Sequence, residues 1–128
     1  MIWSNQWDEI CKYINKRGDK VSLSNSNLYG NYKNVDVKNS AGNSTIKEYG
    51  VETLLETGKT DFTRTNNIYD LAGNCWEATQ GTCKTNGRTT RGGSFNQSIS
   101  DYSVTICNYF ITTAIGGSLS SRASLYLI

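Results

Sequence analysis

Two glycine-bearing corners constrain this chain more than any other feature: Leu71-Ala72-Gly73-Asn74 and Arg91-Gly92-Gly93-Ser94 bracket an aromatic, alternating segment. Glycine enters left-handed backbone without a steric penalty and lets a second backbone come close; Asn is the side chain that best tolerates the same region. Between the corners, Cys75, Glu77 and Thr79 alternate with Trp76 and Ala78, which predicts a strand with one packed face and one partly polar face. Asn86-Gly87 is a strong hairpin signal. It predicts that Trp76 to Thr79 pairs antiparallel with Thr89 to Phe95, with Gly92 and Gly93 marking a bulge or a close approach of backbone.

The rest of the chain is built around that hairpin. With 128 residues, 37% of them hydrophobic, one core and one domain spanning 1–128 are expected. Residues 5 to 16 place Trp7, Ile10, Cys11 and Ile14 at i, i+3, i+4 and i+7, an amphipathic helix with Asn5 as its cap and Asp8 and Glu9 in its first turn. From Gly18 to Lys47 the sequence is polar and turn-rich, predicting long loops with short extended pieces, pinned by Tyr29 and Tyr32. The stretch "KEYGVETLLETGKT" predicts a further short helical turn, limited by Gly50 and Gly58. The fold class is therefore α+β, loop-rich, with short antiparallel strands and an N-terminal amphipathic helix.

Charge and cysteine content remove several functions. The net charge is +2, from 13 basic and 11 acidic residues that are interspersed, so there is no stripe to follow a phosphate backbone and nucleic acid is not an expected partner. No apolar run approaches the roughly 18 residues of a membrane span, and insertion into a membrane is not expected. The four cysteines, Cys11, Cys75, Cys83 and Cys107, lack CxxC spacing, and the chain has no histidine, which disfavours structural zinc. Cys75 and Cys83 flank a short polar stretch; they are either paired in an oxidising compartment or free thiols.

The residues "NIYDLAGNCWEAT" (67 to 79), "RTTRGGSF" (88 to 95) and "SSRASLYL" (120 to 127) resemble the landmarks of the formylglycine-generating-enzyme-like branch of the C-type-lectin fold. Those landmarks are N-[IV]-Y-[DE]-[LM]-A-G-N-V-W-E-W-T, R-V-x-R-G-G-[SN]-[WYF] and a closing G-[FS]-R. The resemblance covers residues 3 to 128 and implies that fold. Ala78, Cys75 and Ser121 depart from the second Trp, the Val and the aromatic before Arg122. The family's full domains also carry strands and a helix before the segment like "IWSNQWDEICKYI", so the first elements of the domain are expected to be missing here.

The same resemblance implies how the enzymatic members would work, and this chain lacks their groups. The copper-dependent oxidases use two cysteines after R-G-G, because soft thiolates select copper(I); Gln97 and Tyr102 stand at the matching positions and Cys107 is alone. The iron-dependent members need a histidine cluster, and Ser-His or Cys-His activation needs at least one histidine. For a paired-carboxylate reading, only Asp101 follows Glu77, and two lone acids do not make an acid/base pair. Sugar binding through calcium relies on a Pro-centred triplet of hard oxygen donors, and the chain contains no proline. A calcium site at Asn74 and Glu77 is implied by the resemblance alone; read as residues, Asn74 closes a turn and Glu77 accepts backbone or Arg hydrogen bonds. A non-catalytic protein without metal or cofactor is the expectation, with copper-dependent oxidation the weakest alternative.

The final third changes character. Residues 92–128 hold two charges, Asp101 and Arg122, against ten acidic and twelve basic residues before them, and are crowded with Ser, Thr, Tyr, Asn and Ile. Aromatic residues supply contact area at low entropy cost, and small polar ones adapt their hydrogen bonds, as in antibody paratopes; an ordinary neutral sheet with exposed Ser and Thr has the same composition. Resemblance to the variable proteins of diversity-generating retroelements implies that this segment is rewritten at adenines. Altering both adenines of an Asn codon cannot give Lys, Glu, Gln, Met or Trp, and between 92 and 128 only Gln97 belongs to that set. The expected ligand contacts are Ser94, Asn96, Asp101, Tyr102, Ile106, Asn108, Tyr109, Phe110 and Thr113, on a scaffold of Asn74, Trp76, Gly92, Gly93 and Arg122. The expected partner is a surface receptor, a protein, met from a virion or a cell surface. The alternative is an assembly subunit, a homo-oligomer or larger appendage whose neighbour supplies the missing elements and covers Ile99, Ile106, Ile111 and Ile115.

Overall fold

Packing begins with the helix. In a computed structural model, which describes residues 1–17, 28–84, 87–101, 103–111 and 117–123, α1 runs Ser4–Arg17 and buries Trp7, Cys11 and Ile14. Its start differs from the Asn5 cap expected. The Trp3 carbonyl accepts the first helical bond, from Trp7 N–H at 3.2 Å, and the Gln6 side chain reaches back to Trp3 N–H at 2.7 Å. That is the return half of a capping box, and it places Asp8 and Glu9 beyond the first turn.

Among the described residues the main sheet has four strands: β7 (Trp76–Lys84), β8 (Gly87–Arg91), β9 (Cys107–Ile111) and β10 (Leu119–Ser121), in the order β10-β7-β8-β9. The predicted hairpin is present, with Glu77 opposite Arg91 and Ala78 opposite Thr90. It stops at Arg91 and does not continue to Phe95, because Gly92 and Gly93 turn into left-handed backbone at φ 90° and 76°. The register shifts lie on β7, between Ala78 and Lys84, and Gly92 serves the close approach. A Cβ there would stand 2.8 Å from the Leu71 carbonyl oxygen and 3.2 Å from the Trp7 ring, inside van der Waals contact. β7 also buries both of its faces, Trp76 and Ala78 on one, Glu77 and Thr79 on the other, where one partly polar face was expected.

Six short strands complete the scaffold: β1 (Gly30–Asn31), β2 (Val37–Lys38), β3 (Thr45–Lys47), β4 (Arg64–Thr65), β5 (Ile68–Tyr69) and β6 (Ala72–Gly73). They form three two-stranded ladders, of which β1·β6 is parallel. Tyr29 and Tyr32 are fully buried and pin the loop as expected. The helical turn expected in 47–60 is absent. The nearest helical geometry is a 3-10 turn at Asp61–Thr63, capped by the Thr60 hydroxyl accepting from Phe62 N–H. Ile99, which the assembly reading leaves exposed, is buried in the main cluster with Trp7, Tyr29, Tyr32, Leu71 and Val104.

Candidate functional site

The framework around the site is fastened by the two corners. Asp70 and Asn74 both take left-handed backbone, φ 53° and 61°, and Gly73 between them lies against β1 so closely that a Cβ would sit 2.3 Å from the Asn31 carbonyl oxygen. The Gly92 carbonyl accepts from Gly73 N–H and from the Tyr32 hydroxyl, both at 2.7 Å. The Asn74 carboxamide grips a distant loop. Its Oδ1 accepts from Leu55 N–H at 3.0 Å and Asn31 Nδ2 at 2.9 Å, and its Nδ2 donates to the Leu55 carbonyl at 3.0 Å. Such buried polar groups hold because nearly every donor meets an acceptor.

Two ion pairs lock the sheet to its surroundings. Arg91, buried on β8, pairs with Asp8 of α1. Arg122, just past β10, donates Nε to Glu77 Oε2 at 2.8 Å, pairs with Oε1 through its terminal nitrogen, and donates to the Tyr69 carbonyl at 3.0 Å. Burial pushes the Glu77 carboxyl above its ordinary value; the Arg122 hydrogen bond and charge pull it back, and Asp70 adds to the rise. These contacts bear out the scaffold roles of Asn74, Gly92 and Arg122. They also answer whether Asn74 and Glu77 fit a calcium ion. Calcium takes six to eight oxygen ligands, and here the Asn74 oxygen and both Glu77 oxygens are already committed to protein donors. The pair does not fit calcium. Among the described residues there is no cluster of three or more His, Cys, Asp or Glu that could hold a metal.

The pairing register sorts the sheet into two faces. Residues opposite one another share a face, so Leu119, Trp76, Ala78, Thr90, Asn108 and Phe110 lie on one side, and Ser120, Glu77, Arg91, Thr89, Cys107 and Tyr109 on the other. The Arg91 to Asp8 contact puts α1 on the second side. The first side therefore faces away from the helix. It carries a groove of about 160 Å³ lined by Trp76, Thr90, Asn108, Tyr109, Phe110, Ser118 and Leu119.

Of the expected contacts, Asn108, Tyr109 and Phe110 meet at this groove. Alternation gives them different roles: Asn108 and Phe110, both half-buried, lie on the face away from the helix, while Tyr109 belongs to the helix-side face, against Gly87, and is 43% exposed. β9 ends the sheet among the described residues, so a partner at this edge can reach both faces. Ile106 is half-buried just before β9, and Asn96 and Asp101 are exposed on the preceding turns; none of the three lines the groove.

Ser94 is a correction. It is fully buried, its hydroxyl 2.7 Å from Asn96 Oδ1 and 3.0 Å from Gln97 Oε1, so it shapes the second corner and presents nothing to a ligand. Tyr102 and Thr113 lie outside the described residues, as does any contact of Cys83, while Cys75 is a free thiol. Trp76, expected as scaffold only, also lines the groove, and Thr90, Ser118 and Leu119 were not expected there from the sequence. Thr90 was legible in it, standing one residue before Arg91 on the predicted hairpin. Leu119 was not, because a three-residue strand pairing in parallel across a long connection leaves no local pattern.

No family model matches the sequence, and no curated protein matches it. Among solved structures, Treponema denticola variable protein 1 is similar, with a TM-score of 0.60 and 17% sequence identity, over 94% of this chain and 45% of that chain. The chain spans less than half the length of that protein and shares its fold over the aligned part; among the described residues this chain has one α-helix and several short strands in a small α+β arrangement.

Proposed function

We propose that this chain is a non-catalytic binding module of the C-type-lectin fold, in its formylglycine-generating-enzyme-like branch. In this reading it acts as a diversity-generating-retroelement variable protein, meeting a protein receptor on a surface from a virion or a cell exterior. One observation carries the reading: the neutral final third supplies an outward groove at a sheet edge, where Asn108 and Phe110 flank Trp76 and Leu119. An aromatic ring beside small, adaptable polar groups is the chemistry of a paratope. The corners that hold this edge are knotted by hydrogen bonds that do not involve its side chains, so the face can change while the backbone stays. The fold shared with a protein named for its variability supports the same reading.

The assembly reading has lost part of its basis, since Ile99 packs in the core. Light scattering on the eluting protein separates the two: a monomer favours the binding module, and a stable oligomer at micromolar concentration favours assembly. The direct test is a library randomised at Asn96, Asp101, Ile106, Asn108, Tyr109 and Phe110, displayed and selected against one purified, unrelated protein. Folded binders whose changes concentrate at 108–110, and which lose at least about tenfold in affinity on truncation of the residue at 110, are expected. A library that does not fold, or binders that owe nothing to these positions, contradicts it. In the genome, a near-identical template copy of the final third beside a reverse-transcriptase gene is the expected neighbour.

A further inference from the structure

A second, larger cavity of about 460 Å³ opens between the 54–57 segment, the Asp70 to Asn74 corner and β10, and the outer-face groove does not include it. Its walls carry Glu56, Asp70 and Glu77 against a single basic residue, Arg122. That guanidinium is taken by Glu77 and the Tyr69 carbonyl. Asp70 is left over. It is 7% exposed, one carboxylate oxygen accepts from Gly58 N–H at 2.9 Å, and the other, Oδ1, is buried with no hydrogen-bond partner. An orphaned buried acceptor costs on the order of 1–3 kcal/mol, and more when charged. The left-handed corner, tied by Asp70 N–H to the Thr63 carbonyl at 2.9 Å, keeps the side chain from moving away. Asp70 lines the cavity, and the torsion of a carboxylate about its Cβ–Cγ bond is soft, so a donor placed there meets the orphaned oxygen by reorienting the carboxylate, at the cost of adjusting the Gly58 bond.

We propose that this cavity binds a basic side chain of a protein partner, an alkylammonium or guanidinium group whose N–H donors satisfy Asp70. The cavity is many times the roughly 30 Å³ share of one water, enough for such a side chain. Leu54 and Leu55 on its wall suit the aliphatic stem, which long cations lay along apolar surface while their charged ends find a carboxylate. The donor-poor, acceptor-rich wall favours a group that only donates. A calcium ion is disfavoured, since it needs six to eight oxygens and Asp70 Oδ1 is the one uncommitted side-chain oxygen among Asp70, Asn74 and Glu77.

The test is calorimetric titration of the full chain with Nα-acetyl-lysine methylamide, its neutral counterpart Nα-acetyl-norleucine methylamide, and calcium chloride. The lysine compound is expected to bind at least about tenfold more tightly than the norleucine compound, and Asp70→Asn to remove that difference. Because Asp70→Asn alters a corner, Ser121→Arg gives a second variant: it sets a cation at the cavity wall with the corner intact, and should weaken the lysine compound by a similar factor. Equal binding of the two compounds, no binding of the lysine compound by folded protein, indifference to both variants, or a response to calcium alone would each overturn the proposal.

Discussion

The corners at 70–74 and 91–94 and the edge strand at 107–111 are made of the same kinds of residue and use them oppositely. In the corners, Asn74 spends its whole carboxamide on Asn31 and Leu55, and Tyr32 gives its hydroxyl to the Gly92 carbonyl. On the edge, Asn108 turns its oxygen to the neighbouring Tyr109 N–H at 2.8 Å, and Tyr109 is 43% exposed. Polar composition therefore does not distinguish framework from display surface. What separates these particular groups is that Asn74 and Tyr32 find partners far along the chain, while the Asn108 oxygen accepts from the next residue.

The sharpest way to break this contrast is Gly73→Ala. Its Cβ would meet the Asn31 backbone at 2.3 Å and sit on φ 68°, so a loss of at least about 3 kcal/mol in urea denaturation is expected. A loss under about 1 kcal/mol would show that the corner yields. Arg122→Ala comes next: it leaves Glu77 buried and unpaired, and because the guanidinium is partly exposed the expected loss is about 2 kcal/mol, below the range for fully buried pairs.

The pH dependence sharpens the same region. Glu77 is raised above 4.5 in the fold, chiefly by burial, so the native state holds its proton to higher pH than the unfolded chain does. The stability this contributes is complete below pH 4.5 and is lost as pH rises through the raised value. Glu77→Gln should remove that slope, read from denaturation midpoints across the series, and an unchanged slope would assign it to another group. The smallest effect is expected on the edge: Asn108→Ala should change stability by no more than about 0.5 kcal/mol. A loss like that of Arg122→Ala would place Asn108 in the framework.

Much of the framework was legible. The spacing of Trp7, Cys11 and Ile14 gave the helix, Asn-Gly gave the hairpin pairing, and the glycines gave the corners, because each is a local property of backbone or of one helical face. The failures that bear on the core and on the two cavities are non-local. Ser94 reads as a surface residue until the Asn96 and Gln97 side chains close over it, and Ile99 reads as exposed until Asn34 holds its backbone, Oδ1 to N–H 3.0 Å, and turns it into the core. The split of Asn108 and Phe110 from Tyr109 follows from period two once β9 is known to be a strand. The sequence of the final third, with no flanking turn signal near Cys107, did not mark it as one. The cavity at Asp70 depends on residues 54–57 crossing a corner far along the chain, which no local pattern records.

One measurement bears most directly on the division between fixed framework and tolerant face: a saturation scan of every described position, scored by resistance to protease in the folded state. Gly73, Asn74, Gly92 and Ser94 should accept almost no substitutions, while Asp101 and Asn108 should accept nearly all. Equal tolerance in the two sets, or an intolerant Asn108, would contradict that division.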